Sequence, residues 1–315
     1  MGREKIIAGL IGGCLIAAVG TGPTGCSNDR PIVVGSKNFT EQVILGEIVA
    51  QHLEHRLGQK VDRRLNLGGT LLAHQALVKG DLNLYPEYTG TALTSILKLP
   101  LSAIAVGGGP AKGAPPTPTP AEVLAKVRAE YLSRFRIQWL DPLGFNSTFA
   151  MVIRGEDARR NRIETLSDAG RHARGWTLGV GYEFQQRPDG LAGLMKTYKL
   201  PIKGSPKTMD LGLLYKALEQ KQVDMVAANA TDGLLSVLDV RVLRDDKGYF
   251  PPYQPALVVR AETLKANPLL WQALNELAGK FSDQLMRKLN HQVDGEHRPV
   301  REVAQAFLRE NGLLP

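Results

Sequence analysis

The residues that could bind a small polar ligand are concentrated in two segments near the start of this chain. The first is residues 35–42 (GSKNFTEQ), and the second is residues 81–91 (DLNLYPEYTGT). Both place lysine, threonine, glutamate or tyrosine side chains where a predicted strand ends in a loop. Because α/β domains bind ligands outside the carboxyl ends of their strands, the two segments predict a small-molecule site.

Motifs typical of enzymes are missing from the sequence. The chain has no Gly-x-Ser-x-Gly elbow, no phosphate-binding loop and no Gly-x-Gly-x-x-Gly segment after a strand. His52 and His55 are three residues apart, but no third ligand follows at the spacing of a metal site. We therefore expect no catalytic residue, no cofactor and no metal. An enzyme whose catalytic residues are assembled only by folding is the alternative, and stoichiometric binding without turnover would exclude it.

The hydrophobic pattern predicts alternating strands and helices. Asn38 is placed to cap a first helix that Gly58 ends, and Thr70 is placed to cap a second helix that Gly80 ends. The strands between these helices are predicted at residues 31–35, 61–67 and 82–85. A strand–helix–strand–helix–strand order favours an α/β fold with a parallel sheet.

Two similar segments divide the rest of the chain. Residues 149–157 (FAMVIRGED) and 255–263 (PALVVRAET) both run from apolar residues into an arginine, and the interval between them has its own α/β alternation. We therefore predict one lobe from residues 30–148 and 255–315, and a second lobe from residues 149–254. The two similar strands would form a hinge, and the cleft between the lobes would hold the ligand.

One segment of the first lobe does not fit this pattern. Residues 105–121 (AVGGGPAKGAPPTPTPA) are rich in proline and glycine, which predicts an extended loop insertion. A helix is predicted directly after it, at residues 122–135. The residues after 267 are also predicted to be helical and to pack on the first lobe.

The beginning of the chain resembles an export signal. Arg3 and Lys5 precede an apolar run at residues 6–19, shorter than the about 20 residues that span a bilayer. We predict a signal peptide at residues 1–25 and lipidation at Cys26, although Pro23 departs from the usual lipoprotein pattern. An ordinary cleaved signal is the alternative. Either form places the protein in the periplasm or on the outer face of the membrane.

The net charge of +8 could indicate a nucleic-acid partner. The basic residues, however, are scattered and have no interleaved aromatic side chains. We therefore expect a solvated surface and no nucleic acid.

Five segments of the chain resemble, in order, the quaternary-amine (osmoprotectant) substrate-binding proteins of ABC importers, which bind glycine betaine, choline or carnitine. They are residues 35–42, 81–91, 183–190 (EFQQRPDG), 230–233 (ATDG) and 250–253 (FPPY). The resemblance implies a two-lobed periplasmic-binding-protein fold (type II-like). It also implies a monomer that delivers a zwitterion to a permease with its ATPase. A sensor that reports the ligand to a membrane receptor would share this site, and a neighbouring permease or ATPase gene would favour import.

The resemblance also assigns roles to individual residues. Lys37 and Arg187 match the carboxylate-binding residues, Thr91 a hydroxyl donor, and Tyr88 and Tyr253 two tyrosines of an aromatic cage. Aromatic faces suit a trimethylammonium group, which donates no hydrogen bond, through cation–π attraction of about 0.5–2 kcal/mol per ring. Asp141 and Asn229 are added from two further segments. The candidate ligand-binding residues are then Lys37, Tyr88, Thr91, Asp141, Arg187, Asn229 and Tyr253.

Two positions depart from the family's pattern. Asn229 and Leu143 stand where the family has cage tyrosines, and Phe145 or Phe149 could substitute for one of them. Losing two rings would weaken the binding of a quaternary amine by about 1–4 kcal/mol. Asn229 can donate and accept hydrogen bonds. We therefore expect either weak betaine binding or a different zwitterionic solute.

Overall fold

A computed structural model describes residues 31–101, 104 and 118–315. The predicted signal peptide, Cys26 and most of the predicted insertion at residues 105–121 lie outside these residues. Within the described part of the chain, no helix combines the length and apolar character needed to span a bilayer.

The described chain contains ten strands and thirteen α-helices. The strands are β1 (Ile32–Gly35), β2 (Val61–Arg64), β3 (Leu84–Tyr88), β4 (Ile137–Pro142), β5 (Phe149–Arg154), β6 (Leu178–Val180), β7 (Lys207–Thr208), β8 (Met225–Asn229), β9 (Val240–Val242) and β10 (Pro255–Arg260). The helices are α1 (Thr40–Leu57), α2 (Thr70–Lys79), α3 (Thr89–Thr91), α4 (Pro120–Phe135), α5 (Gly155–Asn161), α6 (Leu166–Gly170), α7 (Tyr182–Gln186), α8 (Leu191–Tyr198), α9 (Leu214–Glu219), α10 (Ala261–Ala266), α11 (Pro268–Asn275), α12 (Asp283–Asp294) and α13 (Val300–Glu310).

The strands form two five-stranded sheets of the same design. The first has the order β2-β1-β3-β10-β4, and the second has the order β7-β6-β8-β5-β9. In the first sheet β1 is parallel to β2 and β3, and β10 is antiparallel to β3 and β4. In the second, β6 is parallel to β7 and β8, and β5 is antiparallel to β8 and β9. The parallel strands were predicted, and the antiparallel return strands make both sheets mixed.

Helices cover both faces of the first sheet. One apolar core joins α1 to the C-terminal helices, through buried side chains such as Ile44, Leu274 and Phe307. The other core joins α2 to α4 through Leu77 and Val127. The second sheet has its own pair of cores, one on each face. The result is an α/β fold of two lobes.

The structure moves several predicted boundaries. Helix α4 begins at Pro120, two residues earlier than predicted, because the Thr119 hydroxyl and Glu122 form a capping box. The predicted caps at Asn38 and Thr70 are wrong, since Phe39 and Gly69 hold the capping positions without side-chain hydrogen bonds. The Thr70 hydroxyl instead contacts charged residues between the lobes, as described below.

Two segments cross from one lobe to the other. Residues 143–148 lead into β5, and residues 250–254 lead into β10. The two segments are hydrogen-bonded side by side, from Ser147 N to Tyr253 O at 3.1 Å and from Tyr253 N to Asn146 Oδ1 at 2.7 Å. Strands β5 and β10, which are the two similar segments of the sequence, therefore each lie wholly in one sheet. The residues before each strand, and not the strands themselves, cross between the lobes.

The crossing requires glycine at position 144. Gly144 has φ of +116°, and a Cβ there would lie 2.5 Å from the backbone oxygen of Phe281. We expect Gly144→Ala to lower the free energy of unfolding by at least 2 kcal/mol, since the clash adds to the strain of a positive φ. Gly204→Ala is the matched control, with φ of +63° but open space around the position, and it should cost about 1 kcal/mol. Urea denaturation measures both unfolding free energies, and an equal decrease in the two variants would contradict this prediction.

Candidate ligand-binding cleft

A cavity of about 950 Å³ lies between the two lobes. Six of the seven predicted residues line it: Lys37, Tyr88, Thr91, Arg187, Asn229 and Tyr253. Lys37 follows β1, Tyr88 and Asn229 are the last residues of β3 and β8, Thr91 ends the short helix α3, Arg187 directly follows α7, and Tyr253 belongs to a crossing segment. A smaller cavity of about 530 Å³ beside the crossing segments is lined by none of the seven residues.

Lys37 is buried and held by fixed partners. Its ammonium group lies 2.5 Å from Glu87 Oε1 and 3.1 Å from the Thr70 hydroxyl, and 5.0 Å from the centre of the Tyr88 ring. Glu87 is fully buried and also accepts a hydrogen bond of 2.9 Å from Tyr85. Such a pair is costly to break, because removing one partner leaves the other charge buried alone.

Arg187 is fixed by a second buried carboxylate. Its Nε and one terminal nitrogen donate to Asp189 at 2.9 and 2.6 Å, and the other terminal nitrogen donates to the Thr91 hydroxyl at 3.0 Å. The guanidinium carbon lies 5.0 and 5.7 Å from the ring centres of Phe149 and Tyr253. Burial alone would raise the pKa of Asp189, but its hydrogen bonds and ion pair with Arg187 lower it overall. Asp189 therefore occupies Nε and one terminal nitrogen of the Arg187 guanidinium, and only the terminal nitrogen near Thr91 is oriented for a ligand.

Asp141 lies apart from the cavity. Its side chain is 59% exposed and forms an ion pair with Arg128 at 2.7 Å on the surface. We leave Asp141 out of the proposed site for this reason. Of the two phenylalanines considered as substitutes for the missing tyrosine, Phe149 lines the cavity, while Phe145 is buried in the core with Leu143.

The cavity contains an acidic end that the sequence analysis missed. The sequence predicted neither Glu41 nor Asp232 as a ligand-binding residue. Both line the cavity, together with Tyr215 of α9 and Asn290 of α12. The signal for the two carboxylates was their position inside two of the resembling segments. Asn290 and Tyr215 carried no comparable signal.

Glu41 is 3% exposed and accepts hydrogen bonds from three side chains. The donors are the hydroxyls of Tyr88 at 2.6 Å and Thr231 at 2.5 Å, and the amide of Asn290 at 3.4 Å. Burial raises the pKa of Glu41 above its usual value, and these hydrogen bonds oppose the rise. Among the described residues no cation is paired with it.

Asp232 is the second carboxylate of the acidic end. It accepts hydrogen bonds from the Tyr215 hydroxyl at 3.0 Å and from the backbone nitrogen of Asn229 at 3.1 Å. Burial raises the pKa of Asp232 to about 6, and the nearby charge of Glu41 contributes to the rise. The carboxylate lacks a cationic partner within the described chain, so its charge is poorly compensated.

Hydrogen bonds join the two lobes directly across the cleft. Glu183 of α7 accepts from the backbone nitrogen and the hydroxyl of Thr70, the latter at 3.1 Å. The Thr231 hydroxyl reaches Glu41, and Asn290 donates to the Thr231 backbone oxygen at 2.8 Å. The described conformation therefore has the lobes in contact on both sides of the cavity.

Two mixed α/β lobes, two crossing segments and a polar cavity between the lobes define the class of two-lobed solute-binding proteins. The chain belongs to the family described as the substrate-binding domain of the ABC-type glycine betaine transport system, whose pattern matches residues 30–310. This finding confirms the family that the five sequence segments indicated.

Individual relatives agree with this assignment. The chain is 36% identical over 293 residues to the ergothioneine transport permease/ergothioneine binding protein EgtU of Helicobacter pylori; the match covers 92% of this chain and 49% of that protein. The chain thus spans about half the length of that relative. It is 33% identical over 289 residues to the carnitine transport binding protein OpuCC of Listeria monocytogenes, covering 91% and 89% of the two chains. A crystal structure described as a glycine betaine/carnitine/choline ABC transporter matches with a TM-score of 0.70 and 30% identity, covering 90% and 99%.

The raised pKa of Asp232 predicts a pH-dependent stability. Since the folded protein holds this proton up to about pH 6 and the unfolded chain releases it near 3.8, stability is lost as the pH rises through this window. We expect Asp232→Asn to gain on the order of 2 kcal/mol in unfolding free energy relative to wild type between pH 4 and 7. Urea denaturation at several pH values measures the unfolding free energy of both proteins. If the two free energies change with pH in parallel, the prediction is contradicted.

Proposed function

We propose that this protein is the exported solute-binding component of an ABC import system. It captures an osmoprotectant-like zwitterion such as glycine betaine or carnitine, or the related cation choline, and delivers it to a permease with its ATPase. The observation that carries the proposal is the pair of buried cations, Lys37 and Arg187, in a cavity between the lobes that also contains the carboxylates of Glu41 and Asp232. Catalysis is not part of the proposed role.

The charges of the cavity support a zwitterion over a simple cation. The cationic groups of Lys37 and Arg187 suit a carboxylate, and Thr91 adds a hydroxyl at the same end. Seven aromatic side chains of the cavity can surround an apolar or cationic group. They are Phe39, Tyr88, Phe149, Tyr182, Phe184, Tyr215 and Tyr253. The two relatives described above, one named for carnitine and one for ergothioneine, support a trimethylammonium carboxylate as the ligand class.

The proposed mechanism is closure of two lobes about the crossing segments. We place the lobe boundaries at residues 148/149 and 254/255, where the segments enter β5 and β10. The hydrogen bonds of Glu183 to Thr70 and of Thr231 to Glu41 would form on closure and break on release. Such a monomer would present both lobes to the permease only when the cleft is closed.

Export and anchoring belong to the same proposal. A signal peptide at residues 1–25 followed by a lipidated Cys26 would hold the protein at the outer face of the membrane, near its permease. Cys26→Ser should abolish the incorporation of labelled palmitate during expression in a bacterial host. Incorporation by the variant equal to that of wild type would contradict lipidation at this residue.

The first test is calorimetric titration of a soluble form that starts at Ser27. The protein should bind at least one of glycine betaine, choline, carnitine and proline betaine in a saturable and stoichiometric way. Proline, which lacks a quaternary amine, is the comparison. A folded protein that binds none of the quaternary amines would overturn the proposed ligand class.

The role of Arg187 is tested in the same assay. Arg187→Ala should weaken the binding of a carboxylate ligand at least a hundredfold, because a charge-assisted hydrogen bond in a buried site is lost. This variant also leaves Asp189 without its partner, so Arg187→Lys serves as the folded comparison and should still lose about tenfold. Arg159→Ala is the matched control, since Arg159 pairs with Asp239 on the surface. Unchanged affinity in both Arg187 variants would remove this residue from the site.

A further inference from the structure

The edge of the first sheet that faces away from the cleft is basic. Strands β1, β2 and β3 are parallel and point toward the cleft, so their amino-terminal ends share the opposite edge, which we call the basal edge. The antiparallel β10 ends there, and β4 begins beside it. Four exposed basic residues lie within five positions of these strand ends. They are Lys60, Lys79, Arg136 and Lys265.

The charges of the basal edge are uncompensated. Within the described chain, none of these four basic side chains has a hydrogen bond or an ion pair. Two exposed acids, Asp81 and Glu262, share the edge, and Glu262 already pairs with Arg260. The basic residues are scattered in the sequence, and the sheet brings them to one edge. The basal edge therefore attracts an anionic partner.

Exposed apolar side chains continue the basal edge. Helix α10 follows β10 there, and the Thr263 hydroxyl accepts a hydrogen bond of 3.0 Å from the Asn83 amide, which precedes β3. Helix α11 begins at Pro268, and its first residues leave Leu269 65% and Trp271 52% exposed. Tryptophan and leucine beside lysine suit the interface of a bilayer, where aromatic rings lie at the headgroups and basic groups are attracted to anionic lipids.

The start of the chain leads to the same edge. The proposed anchor, Cys26, lies five positions before Pro31, the first described residue, and β1 begins at Ile32. Five residues span at most about 18 Å when fully extended. A lobe of this length is roughly 40 Å across, from its expected radius of gyration. A lipid on Cys26 would therefore keep the basal edge near the bilayer and the cleft edge away from it.

We propose that the basal edge, together with Leu269 and Trp271, is a contact surface for an anionic lipid bilayer. This inference rests on the export and anchoring in the proposed function. Each lysine or arginine close to an anionic surface strengthens binding about fivefold. The two apolar side chains enter the headgroup region. The contact is reversible, and it leaves the cleft directed toward the solution from which the ligand comes.

The chain carries its own probe for this contact. Of its three tryptophans, Trp139 and Trp176 are only 5% and 3% exposed, so acrylamide in solution quenches mainly the fluorescence of Trp271. Cys26 is the single cysteine of a protein that begins at this residue, so a lipid with a maleimide headgroup can be attached there. The chemical anchor is present whether or not a host lipidates Cys26, which separates this test from that of lipidation.

The test compares the lipid-coupled protein on two kinds of vesicle. On equal parts of phosphatidylcholine and phosphatidylglycerol, acrylamide quenching of Trp271 should fall at least threefold relative to the uncoupled protein in solution. On phosphatidylcholine alone the decrease should be less than half as large. Quenching on the anionic vesicles should increase again at high salt, because salt screens the attraction between exposed charges.

A charge variant and a matched control locate the contact. The charge variant replaces three lysines of the basal edge: Lys60→Gln, Lys79→Gln and Lys265→Gln. It should regain most of the quenching on anionic vesicles. The control removes the same charge from exposed positions of the second lobe: Lys196→Gln, Lys199→Gln and Lys203→Gln. It should keep the protection of Trp271 that wild type shows.

Three results would overturn the proposal: no protection of Trp271 on anionic vesicles, equal protection on neutral vesicles, or equal protection in the charge variant and its control. Protection that appears without vesicles as the protein concentration rises would also overturn it, because a second copy of the chain would then cover the surface. If the protein binds its solute in calorimetric titration but shows no protection, the membrane contact alone is wrong and the proposed function stands.

Discussion

The ion pair between Arg187 and Asp189 is the interaction on which the cleft depends. Two buried charges are tolerated only when each satisfies the other, and here the bidentate contact leaves one end of the guanidinium to reach Thr91 in the opposite lobe. The Tyr253 hydroxyl donates to the same Asp189 at 2.5 Å, which ties the pair to a crossing segment. One network therefore connects the second lobe, the first lobe and the crossing. Lys37 with Glu87 repeats the arrangement within the first lobe.

These pairs give the cavity its polarity. At one end each cation is matched by a carboxylate that holds it in place, so the site is preorganised and the ligand does not have to order it. At the other end, Glu41 and Asp232 have hydroxyl and amide donors but no cation among the described residues. A zwitterion complements both ends at once. Glu41 also accepts a hydrogen bond from the Thr231 hydroxyl of the second lobe, so the acidic residues take part in the contact between the lobes.

Much of the fold followed from local patterns. The first two helices end at Gly58 and Gly80 as predicted, because a left-handed residue at a helix end strongly favours glycine. The starts of the same helices were mispredicted, since Phe39 and Gly69 hold the capping positions and the Thr70 hydroxyl has other partners. The Thr70 hydroxyl accepts a hydrogen bond from Lys37 and donates one to Glu183, which is distant in sequence. Strand β3 likewise extends to Tyr88 because β10, far along the chain, pairs with it.

The sequence by itself determined the α/β class, the family and six residues that line the cavity, because these depend on periodicity and on motifs of adjacent residues. The tertiary structure alone decided which charges meet. It separated Asp141 from the cavity, placed Phe149 but not Phe145 beside Arg187, and brought Glu41, Asp232 and Asn290 together from three distant segments. The physical reason is that ion pairs and hydrogen bonds act over a few ångströms in space, whereas the residues that form them here lie up to about 250 positions apart in the chain.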